Sequence, residues 1–218
     1  MTHVKHLVVV IGLVSIAYMI GCSESNSVDD NATPTASDVP NRARSQGNKA
    51  NDDAGNHKID FHRIENATDA GDWKVAMSSK GEFSVELPGG YNDFTQTAKT
   101  KKGNTGHFHT IGLTTPSGVK YSATGIEGAD PTPASEFLKG CASGWQEIGN
   151  VVERRDLMLG GSPGYEVIID DGITSASMRA YVVGELKYIL IAEYPTRVAE
   201  KEQKNIDRFF DSFKPRPE

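Results

Sequence analysis

Apolar positions are spaced differently in successive parts of this chain, and each spacing predicts a different kind of segment. Over residues 7–20 they are continuous, over residues 23–57 they almost vanish, and beyond that they mostly alternate. Around residues 134–148 and 197–213 they instead recur every third or fourth position. Alternation predicts strands, and the longer period predicts amphipathic helices.

The clearest alternation lies between Pro163 and Glu193. Residues 165–170, 178–183 and 186–191 are β-branched and aromatic runs separated by Asp171-Gly172 and Gly184-Glu185, which predicts antiparallel strands joined by turns. A two-residue link with glycine first suits a type II′ hairpin. That turn pairs Val183 with Leu186, Tyr181 with Tyr188 and Arg179 with Leu190. The other face then carries Met178, Ala180, Val182, Ile189 and Ile191. Both faces are largely apolar, unlike a sheet with one wet side, so this pair is expected at the centre of a sheet covered on both sides.

The remaining elements follow in order. Residues 60–72, with Phe61 and Ile64 as anchors, suggest a short helical turn or a packed loop. Residues 73–77 and 83–87 alternate around Ser79-Lys80-Gly81, with Phe83, Val85 and Leu87 inward, and Pro88-Gly89-Gly90 ends the hairpin. Residues 91–100 form a weaker strand candidate and 99–104 an exposed loop. Residues 107–115 and 119–126 form a hairpin around Pro116-Ser117-Gly118. Thr132 can cap a helix with Pro133 at its first position. That helix runs to about Ile148 with Phe137, Leu138, Cys141, Trp145 and Ile148 on one stripe. Residues 151–159 return as a strand. A last helix over 197–213 places Val198, Ile206, Phe209, Phe210 and Phe213 inward, with a face rich in glutamate and lysine toward water. The fold class expected for residues 58–218 is α+β, an antiparallel sheet sandwiched between helices.

Composition sharpens this picture at the front. Of 218 residues only 37% are hydrophobic, and the deficit is concentrated in residues 23–57, which contain no aromatic side chain. Such a segment cannot bury enough apolar surface to offset the entropy of ordering it. As a flexible chain its 35 or so residues span roughly 30–35 Å on average and on the order of 120 Å fully extended. The net charge of −6 leaves no basic footprint and argues against nucleic acid as a partner.

The apolar run at residues 7–20 follows Lys5 and is shorter than the roughly 20 residues a spanning helix needs, which fits a secretory signal core. It ends in Met19-Ile20-Gly21-Cys22, which resembles the lipobox of bacterial lipoproteins, with Met19 in place of the usual leucine and Ile20 larger than the usual residue. The resemblance implies a signal peptide at residues 1–21, lipidation of Cys22, a lipid-anchored linker at 22–57 and a folded domain at 58–218. More than one acyl chain would hold the protein durably on a membrane of the cell envelope. An ordinary signal peptide with a chance cysteine and a short uncleaved anchor are the alternatives. Cys141 lies far from Cys22 in sequence, so the two are read as unrelated.

Candidate chemistry is sparse. Gly160-Gly161-Ser162-Pro163-Gly164 matches the pattern of a hydrolase elbow, but that elbow uses the N–H of the residue after serine, which Pro163 lacks. A glycine turn is the better account of Ser162. His107 and His109 alternate on one strand and share a face, so both imidazoles could approach one metal. With His57 and His62 in or near the linker, they are read more simply as exposed strand histidines. Cys141 sits on an apolar stripe, where a thiol is inert. Asp170-Asp171 before Gly172 suits a hairpin turn better than a calcium loop. Lys99, Lys101 and Lys102 read as a solvated loop. No catalytic residue and no cofactor is expected.

The motifs also carry a resemblance. A tryptophan strand leading into Phe83-Ser84-Val85-Glu86-Leu87-Pro88, a mid-chain helix, the turn Leu159-Gly160-Gly161-Ser162-Pro163-Gly164-Tyr165-Glu166, the hairpin Arg179-Ala180-Tyr181-Val182-Val183-Gly184-Glu185-Leu186-Lys187-Tyr188 and a final Phe209-Phe210-Asp211-Ser212-Phe213 together resemble the PsbP-like family, over residues 73–214. The resemblance implies an antiparallel sheet covered by helices. It also implies a non-enzymatic binding or assembly role, as in an extrinsic photosystem subunit or a regulator of a nuclear GTPase, with a protein partner in the envelope. It brings over no site residue. A metal-assisted enzyme using His107 and His109, or a passive structural lipoprotein, are the alternatives.

Overall fold

The computed structural model describes residues 58–65, 72–99, 103–128 and 131–215. The expected signal peptide, Cys22 and the expected linker lie outside the described residues, as do Lys101 and Lys102. An eight-stranded antiparallel sheet forms the centre, in the order β1-β4-β5-β6-β10-β9-β8-β7. Its strands are β1 (Lys58–Arg63), β4 (Asn92–Lys99), β5 (Thr105–Thr114), β6 (Lys120–Glu127), β7 (Asn150–Leu159), β8 (Ser162–Asp170), β9 (Thr174–Val183) and β10 (Leu186–Pro195). A small second sheet joins β2 (Trp73–Met77), β3 (Phe83–Pro88) and β11 (Lys214–Pro215) in the order β11-β3-β2.

Two meanders, β4 to β6 and β7 to β10, account for most neighbours, and the β6–β10 pairing joins them into one sheet. The β9–β10 hairpin has the register its turn demands: Val183 opposite Leu186, Tyr181 opposite Tyr188 and Arg179 opposite Leu190. Gly184 supplies the left-handed conformation with φ of 58°, as a type II′ turn requires at that position.

Both faces of the sheet are buried. On one, Ile111, Tyr121, Tyr188 and Leu190 pack against Val85, Leu87, Ile206 and Phe209. On the other, Val167, Met178, Ala180 and Ile189 pack against Cys141 and Trp145. The second face is covered by α1 (Ala134–Gln146), and the first by the β2–β3 hairpin together with α2 (Ala199–Asp211). The expected sandwich is therefore asymmetric, with a helix above and a hairpin plus a helix below.

Several boundaries differ from the sequence reading. Residues 58–63 form an edge strand paired with β4, where a helical turn or loop was expected; their alternation is blurred because most of β1 is exposed. Pro133 takes the cap position of α1 with extended ψ of 146°, so the helix begins one residue later than a Thr132 cap implies. Ile148 lies beyond the helix end and is 48% exposed, and so leaves the apolar stripe. A 3-10 turn at Thr196–Val198 precedes α2. Glu202 is buried on α2 rather than facing water, because steps of four residues put it on the stripe of Val198, Ile206 and Phe210.

Candidate functional site

Alternation along β5 sends His107 and His109 to the same face as Ile111 and Leu113. Across the ladder on β4, Thr97 stands opposite His107 and Thr95 opposite His109. Thr95 Oγ1 is 2.8 Å from His109 Nδ1, and Thr97 Oγ1 is 3.3 Å from His107 Nδ1. From the edge strand, His62 Nε2 reaches Thr95 Oγ1 at 2.8 Å. On the other side, Glu127 Oε2 lies 3.2 Å from His109 Nε2.

The donors in this chain of contacts follow from one another. A carboxylate only accepts, so His109 Nε2–H donates to Glu127. In the tautomer that carries its proton on Nε2, His109 accepts at Nδ1 from the Thr95 hydroxyl, and Thr95 in turn accepts from His62 Nε2–H. The array thus links β1, β4, β5 and β6 by directed hydrogen bonds.

His109 is only 7% exposed, contrary to the expectation of exposed strand histidines. The lid over it is the β2–β3 turn. A Cβ on Gly81 would lie 2.9 Å from His109 Cβ and 2.4 Å from Phe83 Cε1, and one on Gly125 would lie 2.8 Å from the Gly81 carbonyl. Glycine at both positions lets the turn settle onto the sheet. Glu82 adopts a left-handed φ of 52° at the rim, where a non-glycine residue is uncommon. Between turn and sheet lies a cleft of about 160 Å³ lined by Lys80, Glu82, His109, Glu127 and Leu186 among others.

The imidazoles of His107 and His109 stack nearly parallel, 6.2 Å apart with 8° between their planes. Both therefore present Nδ1 to the threonines of β4 instead of converging on one point. Among the described residues, no three of His, Cys, Asp or Glu are grouped to hold a metal. His62, expected only near the linker, is the residue that ties the edge strand to this array.

A second polar constellation crosses β7, β8 and β9. Glu166, 3% exposed, stands opposite Arg155 on one side and Arg179 on the other. It accepts from Arg155 Nε and from Arg179 Nε, the latter at 2.5 Å. The Arg179 guanidinium lies 4.5 Å from the centre of the Phe210 ring and donates to Asp211 at 3.4 Å. This group fastens the end of α2 to the sheet.

The other sequence candidates have structural surroundings. Ser162 opens β8 after the Gly160-Gly161 turn, whose φ values are 56° and 89°. The Asp171 carboxylate accepts from the N–H of Ile173 and Thr174 at 2.8 and 2.7 Å, and Asp170 from that of Gly172 at 2.6 Å. These bonds shape the β8–β9 turn and hold the Asp171 carboxyl below its ordinary range. Cys141 is buried, and desolvation pushes its thiol up to about 12. Lys99 Nζ donates to Thr105 Oγ1 at 2.7 Å. Among the described residues no helix is long and apolar enough to cross a membrane.

Comparison with protein-family models finds no match, and comparison with curated proteins finds none either. Among solved structures the chain is similar to cyanobacterial PsbP from Synechocystis sp. PCC 6803, at 11% identity and a TM-score of 0.44, over 70% of this chain and 97% of that one. It is also similar to a Pseudomonas aeruginosa protein of unknown function, at 10% identity and a TM-score of 0.42, over 68% of this chain and 100% of that one. A third is LpqN of Mycobacterium tuberculosis, which is involved in cell envelope biogenesis, at 11% identity and a TM-score of 0.37, over 77% of this chain and 88% of that one. No residue role follows from likenesses of this size.

Proposed function

We propose that this protein is a lipid-anchored bacterial envelope lipoprotein whose α+β domain is a non-catalytic binding or assembly module. The observation that carries the reading is the apolar run ending at Cys22, followed by a polar segment long enough to hold a domain clear of a membrane surface. The state of the reactive groups supports it. Both nitrogens of His109 and both oxygens of Glu166 are engaged within the domain, and the Cys141 thiol is held protonated by burial.

Palmitate labelling in a bacterial host tests the anchor. Incorporation that disappears in Cys22→Ala, with release of that variant from the membrane fraction, is the expected result; label retained in Cys22→Ala would refute it. Crosslinking in cells tests the binding role, which requires a reproducible protein partner in the envelope. The His109–Glu127 pair at the cleft gives a metal-assisted enzyme using His107 and His109 its one foothold. Stoichiometric metal in the purified protein, lost in His109→Ala and in His107→Ala, would replace the non-catalytic reading.

A further inference from the structure

We propose that the free edge of β7 pairs with β7 of a second copy of this chain, joining two eight-stranded sheets across a two-fold axis at Arg155. β7 ends the sheet order, so among the described residues one row of its backbone N–H and C=O groups has no strand beside it. Edge strands usually carry charges and bulges that discourage pairing. Here the charges are arranged so that pairing with the same strand neutralises them.

One face of β7 carries the row Arg154, Asp156, Met158. Arg154 and Asp156 are exposed and stand opposite Val167 and Tyr165, on the face of the sheet where α1 lies over β8 and β9. Met158, 69% exposed, continues this row, and the register shift between Val151 and Glu153 leaves Val152 outside it. Among the described residues, neither Arg154 nor Asp156 takes part in an ion pair; the pairs nearby belong to Glu153, Arg155 and Glu166.

An antiparallel pair requires directly opposite residues to share a face, because the pleat alternates. With the axis at Arg155, Arg154 meets Asp156 of the second copy, and by symmetry this pairing occurs twice. Moving the axis to Arg154 sets Arg154 against itself. Moving it to Asp156 sets Asp156 against itself and Arg154 against Met158. Of these, only the axis at Arg155 sets opposite charges against each other. The two Arg155 side chains that meet there are each already bonded to Glu166, with Glu153 at 3.8 Å. The register shift at Val152 ends the regular ladder, which runs over residues 153–157 between the copies.

The test is sedimentation equilibrium of the full chain in density-matched detergent. The native protein is expected to form a dimer. Arg154→Asp and Asp156→Arg each turn both attractions into repulsions and weaken self-association roughly tenfold. The combined variant restores it, and a mixture of the two single variants forms mixed dimers. At concentrations where every form is monomeric, thermal unfolding of the variants stays at the native midpoint, since both side chains are exposed. A native chain that remains monomeric, a single reversal without effect, or a combined variant as weak as the single ones would overturn the proposal. A different protein bound at this edge with the same charge dependence would assign the edge to that partner and would equally overturn it.

Discussion

Glu166 is a carboxylate in a nearly dry place, and its charge is tolerated because a guanidinium meets each oxygen. Removing Glu166 is costly because Arg179 is left buried with a longer, 3.4 Å carboxylate contact to Asp211, while Arg155 is half-exposed. Glu166→Ala is expected to lower unfolding free energy by about 3–5 kcal/mol, while Glu166→Met loses less, because the stem still fills the space; urea denaturation distinguishes them. The alternating pattern placed Arg179 on an apolar face but could not name its partner. The Arg155–Glu166–Arg179 row appears only once the registers of β7, β8 and β9 are fixed together. His109 was likewise recognisable as a strand residue, but its burial depends on a turn folding over it from some thirty positions earlier. Buried thiol and phenol groups set the behaviour in base. Desolvation pushes Cys141 up to about 12 from 9.0, and desolvation with the Glu82 charge pushes Tyr188 up to about 12 from 10.0. Burial and the Glu202 charge raise Tyr121 further still. Each group holds its proton more tightly when folded than when unfolded, so its contribution is complete below the unfolded value and is lost as pH rises toward the folded one. The thermal midpoint should therefore fall between about pH 9 and 11. In the native protein at neutral pH, Cys141 should resist thiol reagents that label it after unfolding; ready native labelling would contradict its burial.

Elements reach their positions through a few enforced approaches. The β2–β3 hairpin was legible from its alternation, and Phe83, Val85 and Leu87 are buried at 4%, 1% and 1%. What the pattern could not supply was where its turn would land, since Gly81 and Gly125 are far apart in sequence and their fit is made of absent side chains. A Cβ at Gly125 meets the Gly81 carbonyl, a backbone atom with little freedom to move. Gly125→Ala is expected to cost about 1–3 kcal/mol and to lift the turn away from His109. Proton chemical shifts of the His109 ring would report that displacement directly, and an unchanged spectrum with native stability would contradict the seating. On α2 the omission was of another kind. Val198, Glu202, Ile206 and Phe210 are spaced by fours, so the buried position of Glu202 was present in the sequence; its charge drew it to the wet face in the reading. The first turn of a helix favours a carboxylate, and Asn205 Nδ2 donates to Glu202 at 2.8 Å.

At the scale of the molecule, hairpins between neighbouring strands were readable because turn glycines and alternation are local signals. The β6–β10 pairing was not, because nothing local says which strands of two meanders will meet; it is decided by which faces remain apolar once each meander has formed. The pairing of β1 with β4, across the β2–β3 hairpin in sequence, was hidden for the same reason. This topology makes a graded prediction for native-state hydrogen exchange. β9 and β10 have neighbours on both sides and packed layers above and below, with Ala180 and Leu190 fully buried. Their amides should exchange only through global unfolding. β1 stands at an edge, with Phe61 44% exposed, and is held by one partner strand and the His62–Thr95 bond. Its amides should exchange through local opening, faster by several orders of magnitude. Because His62 is the side chain that fastens β1 to the array, His62→Ala should speed exchange in β1 further while leaving β9 and β10 unchanged. Equal protection of β1 and β10, or a loss in His62→Ala that spreads evenly through the sheet, would mean that the edge and the centre open as one unit.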